Sequence, residues 1–136
     1  QVSEQFVLGR IRPRQDHQRM QIASRYGISN SKLVQVIGAM ERNTETPLNT
    51  LELAEAIEVS RRQLERLFRL YLNDTPSGFY LRLRLDKARQ LLRQTGMSVL
   101  EVSIACGFDS PSYFTRSYRA RFQCCPREDR RALGAG

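Results

Sequence analysis

Residues 98–122 read SVLEVSIACGFDSPSYFTRSYRARF, and this stretch decides the fold. Ser98 is a natural N-cap for a short helix, because a serine oxygen accepts from the free amides of a first helical turn. Gly107-Phe108-Asp109 then supplies a tight turn. Ser110 caps a second helix, with Pro111 in the favoured first-turn position. Residues suited to a core recur at helical spacing, namely Val99, Val102, Ser103, Cys106, Phe114, Tyr118 and Phe122. The stretch therefore predicts a helix-turn-helix.

The same pattern occurs earlier in the chain, where residues 53–68 read LAEAIEVSRRQLERLF. A small residue again lies in the middle of the first helix, and a serine again precedes the second. One helical hairpin is a weak signal, but two copies of like spacing in a basic chain indicate a duplicated helix-turn-helix. The matched pairs are Leu53 and Val102, Ala54 and Ser103, Ile57 and Cys106, Ser60 and Ser110, Leu64 and Phe114, Arg66 and Arg116, and Phe68 and Tyr118. The stripe of Leu64, Leu67, Phe68 and Tyr71 is predicted to be core.

Further helices connect and flank the two copies. A helix from Pro76 to about Gln94 joins them, one upstream helix ends at about Arg42, and Pro126 opens a short final helix. The predicted N-caps are Asn30 or Ser31, then Thr50 and Thr75. No segment alternates apolar and polar residues as a strand does. The fold class is therefore predicted to be all-α, with two helix-turn-helix subdomains joined by a long connecting helix.

These elements divide the chain into four parts. Residues 1–30 are predicted to be a linker or the tail of a missing upstream sensor domain, with a basic arm that contacts phosphates as the alternative. Residues 31–95 form the first helix-turn-helix subdomain with the connecting helix, and residues 96–131 form the second. Residues 132–136 are predicted to be a disordered tail. The chain begins with glutamine rather than methionine, so it is expected to be part of a longer protein.

Composition points to a polyanionic partner. The chain has 136 residues, with 22 Lys and Arg against 14 Asp and Glu, which gives a net charge of +8. All of the cations except Lys32 and Lys87 are arginines, and arginine suits planar, bidentate contacts to phosphate and guanine. No apolar run approaches the roughly 20 residues that span a bilayer. Nucleic acid is therefore the favoured partner class, ahead of an anionic membrane.

Motifs for catalysis, cofactors or metals are missing from the sequence. The three cysteines, Cys106, Cys124 and Cys125, form no C-x-x-C pair, and His17 is the only histidine. There is no nucleophile turn and no glycine-rich loop that cradles phosphate. An enzymatic function, a cofactor and a metal site are therefore not expected. Cys106 is predicted to be buried, and an inert role is favoured over a redox role for Cys124 and Cys125.

Residues 48–131 resemble the C-terminal DNA-binding domain of AraC/XylS-type bacterial transcription regulators. The stretches that carry the resemblance are LAEAIEVSRRQLERLF, TPSGFYLRLRLDKARQLL, SVLEVSIACGFDSPSYFTRSYRARF and PREDRR. The rest of the chain, EQFVLGRIRPRQDHQRM and NSKLVQVIGAMERNTETPL, is similar to the junction in a subgroup whose upstream sensor domain is amidotransferase-like. That subgroup often controls the catabolism of arginine or quaternary amines.

The resemblance implies how the domain would read DNA. Two recognition helices, about 60–71 and 110–122, would enter adjacent major-groove segments about 34 Å apart. A connecting helix of about 19 residues reaches roughly 28 Å, which suits that spacing. The family's base-reading positions match Arg62, Glu65, Arg66, Ser112, Tyr113 and Arg116. Arginine suits guanine and glutamate suits cytosine, whereas Tyr113 either stacks on a thymine methyl group or bonds a phosphate.

Predicted phosphate contacts surround these positions: Ser60, Arg61, Arg82, Arg84, Arg89, Ser110 and Pro111. Ser60 and Ser110 begin helices whose first amides can bind phosphate. Arg82, Arg84 and Arg89 equally suit solvation or intramolecular pairing with Asp86 and other acids. Arg66 and Arg116 could form surface ion pairs, but their identical placement in the repeat favours base reading.

Four residues depart from the family pattern. Glu58 stands where glycine is usual in the first turn, so a positive φ there would be strained. Ser103 replaces a common alanine, at little cost if its hydroxyl bonds back to the helix. Gln123 stands in place of a glycine and Asp129 in place of an aromatic residue, which affects the packing of the last helix.

The expected partners follow from the resemblance. They are a double-stranded DNA operator, RNA polymerase, and an amino acid or quaternary amine effector bound by the missing upstream domain. The location is expected to be the bacterial cytoplasm. This domain is expected to be a monomer, and the full-length protein a dimer.

Three rival classes remain at this point. A basic helical protein-interaction module would contact the transcription machinery without tight binding to duplex DNA. A nucleic-acid enzyme would need an acidic metal cluster or a nucleophile. A membrane-surface helix bundle would need apolar faces open to lipid, whereas both apolar stripes here are used by the core.

Overall fold

The computed structural model describes residues 13–135, with side chains described from His17 to Arg131. Within that range every regular element is a helix, which confirms the all-α prediction. The helices of the described range are α1 Pro13–Tyr26, α2 Ser31–Arg42, α3 Thr50–Ala56, α4 Arg61–Leu72, α5 Pro76–Gln94, α6 Val99–Ala105, α7 Pro111–Phe122 and α8 Pro126–Ala135. Helices α3–α4 and α6–α7 are the two helix-turn-helix units, and α5 joins them.

Two apolar cores are built on successive halves of α5. The first core contains Phe79 and Leu83 of α5 together with the buried faces of α1 to α4. The second contains Leu85 and Leu92 of α5 together with the buried faces of α6 and α7. Each helix-turn-helix therefore has its own core, and one unbroken helix belongs to both.

Residues 13–26, which lie in the segment predicted to be a linker or the tail of an upstream domain, form helix α1. Helix α1 packs on α2, and Ile22 of α1 is fully buried in the first core. A salt bridge between Arg25 and Glu41, with the nitrogen and oxygen 2.9 Å apart, adds to this contact. The sequence signal was weak because α1 is mostly polar and buries few side chains. Two arginines of the predicted basic arm, Arg10 and Arg12, lie outside the described residues, whereas its other two, Arg14 and Arg19, belong to α1.

Side-chain caps fix where the helices begin. The caps predicted at Thr75, Ser98 and Ser110 are confirmed, as is Asn30 for α2. The cap of α3 is Asn49 rather than Thr50: the Asn49 side chain accepts from the amide of Glu52, and the Glu52 carboxylate accepts from the amide of Asn49, both at 2.8 Å. This reciprocal pair satisfies two amides at once, each worth about 1 kcal/mol, so it outcompetes a lone threonine cap.

The two helix-turn-helix turns have the same backbone. The amide of Val59 bonds the carbonyl of Ala54 at 3.0 Å, and the amide of Phe108 bonds the carbonyl of Ser103 at 3.0 Å. Each turn contains one residue with a left-handed φ, which is 60° at Glu58 and 81° at Gly107. The positive φ expected at Glu58 is confirmed, so this residue is strained. Lys32 supports the first turn, because its ammonium group donates to the carbonyl of Ile57 at 2.7 Å.

Glu58→Gly is expected to stabilise the domain by about 0.5–1 kcal/mol. Glycine removes the cost of a side chain in the left-handed region, and its extra freedom in the unfolded chain offsets part of the gain. Urea unfolding followed by circular dichroism measures the change. The control is Glu55→Gly in the exposed part of α3, which is expected to lower the stability by about 1 kcal/mol. A Glu58→Gly variant no more stable than the parent would contradict the strain.

Polar contacts hold the last helix. The buried hydroxyl of Tyr118 donates to the carboxylate of Asp129, which is itself buried. Arg89 lies beside the same carboxylate, with Nε 3.1 Å from Oδ2. Asp129 therefore joins α5, α7 and α8 through a polar network. Residues 132–135 continue α8 rather than forming the predicted disordered tail, and residue 136 lies outside the described residues.

The other two departures also have local explanations. Gln123 has a left-handed φ of 66° and closes α7 by bonding its amide to the carbonyl of Arg119. The hydroxyl of Ser103 donates to the carbonyl of Leu100 at 2.8 Å, so it is satisfied inside the helix. Neither residue interrupts α6 or α7.

Candidate nucleic-acid interface

Helix α4 buries Leu64 and Phe68 and exposes its basic side. Arg62 and Arg66 lie four residues apart, so they share one side of the helix, and both are exposed. Among the described side chains, no carboxylate forms a salt bridge with either. Their guanidinium groups are therefore available to an incoming partner.

Arg61 and Glu65 pair with one another along the same helix. Their Nε and Oε2 atoms are 3.6 Å apart, and the two side chains are 66% and 50% exposed. A pair this open to water contributes little and exchanges readily with other partners. The Glu65 carboxylate, which is predicted to read bases, is thus accessible to solvent although it pairs with Arg61.

Tyr71 is not in the core, which corrects the prediction for the end of the apolar stripe. Its side chain is 50% exposed. The helix ends one residue later, and Leu72 packs against the first core together with Leu67. Tyr71 therefore lies on the exposed side of the last turn of α4.

Helix α7 carries the equivalent positions in the second unit. Ser112 and Arg116 are exposed, and Tyr113 is 41% exposed. The Tyr113 ring lies 5.9 Å from the Arg116 guanidinium and 5.9 Å from the Phe108 ring, measured to centroids. Phe108 is buried, so the partly exposed Tyr113 ring lies between the second core and Arg116.

The two recognition helices begin in the same way. The Ser60 hydroxyl accepts from the amide of Gln63 at 3.0 Å, and the Ser110 hydroxyl accepts from the amide of Tyr113 at 3.2 Å. The amides of Arg61, Arg62 and Ser112 belong to first turns and have no partner within their helix. Pro111 has no amide hydrogen, so α7 offers one donor fewer than α4.

The three arginines predicted on the connecting helix differ in their surroundings. Arg82 pairs with Asp74, and Arg89 pairs with Asp129, so both follow the alternative of intramolecular pairing. Asp86 is not their partner: it accepts two hydrogen bonds from Arg121 of α7, at 2.8 and 3.0 Å. The phosphate contacts predicted for Arg82 and Arg89 are therefore weakened by partners within the protein.

Arg84 has a different environment, between the two subdomains. Its guanidinium group lies 4.5 Å from the centroid of the Phe108 ring and 5.8 Å from that of Tyr80. Burial lowers the pKa of Arg84 below its ordinary value. It lines a depression of about 460 Å³, together with Thr50, Ser77 and Tyr113. The N-terminal ends of α3, α5 and α7 lie around this depression, on one side of the molecule.

The surroundings of Cys106 and Cys124 disfavour the thiolate form of both residues. Cys106 is buried, and burial raises the pKa of its thiol to about 11. The pKa of Cys124 is also raised, first by desolvation and then by nearby Asp129. In the described residues no cluster of metal-ligating side chains is found, and no helix there is long and apolar enough to cross a bilayer.

One contact between the subdomains had no signal in the sequence. The second turn, at Gly107, packs against Thr44 and Pro47 of the loop that precedes α3. Pro47 and Gly107 lie 60 residues apart in the sequence, and no periodicity connects them. Only the structure brings them together.

Sequence comparison places the chain among regulators. Residues 53–132 match the family described as "Helix-turn-helix domain". The chain is 77% identical over 133 residues to the HTH-type transcriptional regulator CdhR of Pseudomonas aeruginosa, and covers 40% of that protein. It is 47% identical over 135 residues to the HTH-type transcriptional regulator GbdR of the same species, and covers 37% of it. The chain thus spans about two fifths of the length of these relatives.

Solved structures support the same relationship to transcriptional regulators. An AraC-type transcriptional regulator from Chromobacterium violaceum is 49% identical, with a TM-score of 0.73 over 75% of this chain and 91% of that one. The DNA-binding domain of AdpA, solved in complex with a target DNA, is 28% identical, with a TM-score of 0.72 over 76% of this chain and 94% of that one. The two capped hairpins on a shared helix, together with these matches, show that the chain belongs to the AraC-type family of helix-turn-helix DNA-binding domains.

Proposed function

We propose that this domain binds a specific double-stranded DNA site, with α4 and α7 in adjacent major-groove segments. The equivalent placement of Arg66 and Arg116 carries the proposal. Each lies six residues after a serine N-cap, and each is exposed on a helix whose other side is buried. Helix α5 has 19 residues, which at 1.5 Å per residue gives about 28 Å, close to one turn of DNA.

Base reading falls to the exposed side chains of the two recognition helices. Arg62, Arg66 and Arg116 present guanidinium groups suited to the O6 and N7 atoms of guanine. The Glu65 carboxylate suits the amino group of cytosine. Its pair with Arg61 is exposed and weak, so breaking that pair to bind a base costs little free energy. The two recognition helices differ, since α7 has Ser112 and Tyr113 at the positions where α4 has Arg62 and Gln63.

Phosphate binding is assigned to the helix starts and to Arg84. The first amides of α4 and α7, beside Ser60 and Ser110, face a backbone phosphate when the helices lie in the groove. Arg61 adds a charge there, and Pro111 adds only an apolar contact. Arg84 supplies a cation in the depression between the subdomains. Arg82 and Arg89 are left out, because carboxylates of the protein already pair with them.

We further propose that the full-length protein regulates transcription in the bacterial cytoplasm as a dimer, while this domain alone is a monomer. Its partners would be a DNA operator and RNA polymerase. An upstream sensor domain, of the amidotransferase-like kind that the sequence resembles, would bind an amino acid or quaternary amine effector. The proposal is one of binding and assigns no catalytic step, cofactor or metal to this domain.

Selection of duplexes from a random pool tests the proposal directly. The domain is expected to enrich one site with two half-motifs about one helical turn apart. The control is a variant with Arg62, Arg66 and Arg116 all changed to alanine, which is expected to enrich no site. If the parent domain itself enriches nothing, a basic module for protein interaction becomes the better description.

Binding is also expected to weaken steeply with salt. The logarithm of the affinity falls by about 0.9 per phosphate neutralised, for each tenfold rise in salt. Arg84→Met is therefore expected to make this slope shallower by about 1, whereas Arg93→Met, at the exposed end of α5, leaves it unchanged. Fluorescence anisotropy across a salt series measures the slope. A flat titration would contradict DNA binding, and an unchanged slope for Arg84→Met would remove that residue from the interface.

A further inference from the structure

The second helix-turn-helix touches the first subdomain at a point away from α5. The backbone of Gly107 packs against the loop of residues 43–48, which joins α2 to α3. A Cβ atom at position 107 would overlap the carbonyl oxygen of Thr44 and would lie 2.6 Å from Cγ of Pro47. No side chain fits in that space, so the close approach depends on glycine.

One buried phenol holds both ends of the 43–48 loop. The hydroxyl of Tyr80 on α5 donates to the carbonyl of Asn43 and accepts from the amide of Leu48 at 3.2 Å. Burial raises the pKa of Tyr80, so the hydroxyl keeps the proton that it donates. The loop that receives Gly107 is therefore fixed to α5 rather than free to yield.

The first turn shows that the backbone alone does not require glycine at this position. Glu58 has nearly the same left-handed φ and carries a full side chain, because that turn faces solvent. The contact with the 43–48 loop is thus a second reason for glycine at position 107, in addition to the left-handed φ, which would strain any side chain there. This comparison separates the conformational need for glycine from the need for close packing.

We propose that this contact is a second attachment between the subdomains, which fixes the distance and rotational phase of α7 relative to α4. Gly107, Pro47 and Tyr80 are then positioning residues that set how many base pairs separate the two half-motifs. A single helix permits bending and twisting between its ends, whereas two attachments restrict both. One added base pair displaces a half-site by about 3.4 Å and rotates it by roughly 35°. The inference rests on the proposed DNA binding.

The test is a spacing profile on the selected duplex, with one base pair inserted or deleted between the half-motifs. The parent domain is expected to lose at least about 10-fold in affinity for either change, because one half-motif then falls out of register. Gly107→Ala and Tyr80→Phe are expected to reduce this ratio at least about threefold, while the preferred bases within each half-motif stay the same. A general loss of stability would not alter the ratio.

Gly27→Ala is the matched control. Gly27 also has a left-handed φ, of 64°, but in the described structure no atom outside its immediate neighbours lies within 4 Å of a Cβ atom placed there. This variant carries the same backbone strain without the clash, so its spacing ratio should equal that of the parent. If Gly107→Ala does not fold, Tyr80→Phe and Pro47→Ala carry the test, because both remove atoms rather than add them.

The outcomes distinguish a failure of this inference from a failure of the proposed DNA binding. Reduced ratios for the variants, with an unchanged ratio for Gly27→Ala, support the inference. A selected site with equal ratios for all proteins, or a parent that tolerates every spacing, overturns the inference and leaves DNA binding standing. A selection that enriches no duplex overturns the proposed function, and this inference with it.

Discussion

Arg66→Ala or Arg116→Ala is expected to weaken binding to the selected DNA site by about 1–3 kcal/mol, which is roughly 5- to 150-fold in Kd. Each arginine is exposed and forms no salt bridge with a described carboxylate, so its removal leaves the fold intact. The melting temperature should therefore stay the same. The two residues lie in separate subdomains, so the double variant should show nearly additive losses. Anisotropy titrations at one fixed salt concentration measure the effects.

Two controls separate base reading from charge. Arg66→Lys and Arg116→Lys keep the charge but lose the bidentate fork, so specific affinity should fall while binding to unrelated DNA is retained. Arg93→Ala removes one exposed positive charge from α5 and should cost little specific affinity. If Arg66→Ala and Arg116→Ala bind the selected site as the parent does, these residues do not read bases.

Asp129→Ala is expected to destabilise the domain by about 2–4 kcal/mol. The change leaves the hydroxyl of Tyr118, a residue with no exposed surface, without its acceptor, and leaves Arg89 without its carboxylate. An unsatisfied buried hydroxyl costs about 1–3 kcal/mol. The Arg89 side chain is 36% exposed, so water compensates for part of its lost pairing. Thermal unfolding followed by circular dichroism measures the loss.

The comparison with two other variants makes this prediction specific. Arg127→Ala changes an exposed residue of the same helix and should alter the stability by less than about 0.5 kcal/mol. The double variant Tyr118→Phe with Asp129→Leu removes both hydrogen-bonding groups and should lie much closer to the parent. A melting temperature for Asp129→Ala equal to that of the parent would show that the polar network contributes nothing.

Local signals in the sequence were enough to predict most of the fold. The serine and threonine caps and the prolines at helix starts are short-range features, so α4 to α7 begin where the residues indicated. Helix α1 was missed because its stability depends on packing against α2, with Ile22 and the pair of Arg25 and Glu41, rather than on its own apolar stripe. Periodicity detects a helix that buries a wide face, and α1 buries a narrow one.

In the candidate site too, the sequence predicted the local features but not the tertiary contacts. Positions counted from a cap, such as Arg66 and Arg116, are exposed where the repeat predicted. The partners of Arg82 and Arg89 were not predicted, because Asp74 and Asp129 reach them only through tertiary packing. The contact of Gly107 with Thr44 and Pro47 joins distant parts of the chain, so no local pattern reveals it.

In the proposed complex, the difference between the exposed residues of α4 and α7 would give the domain a direction along the duplex. Helix α4 presents Arg62, Glu65 and Arg66, while α7 presents Ser112, Tyr113 and Arg116, and α5 keeps them in a fixed order. A symmetric dimer reads a palindrome and binds it equally in either orientation. One copy of this domain would instead recognise an asymmetric sequence, so a bound molecule has a head and a tail along the duplex. Such polarity would let a promoter dictate which end of the regulator points toward the start of transcription.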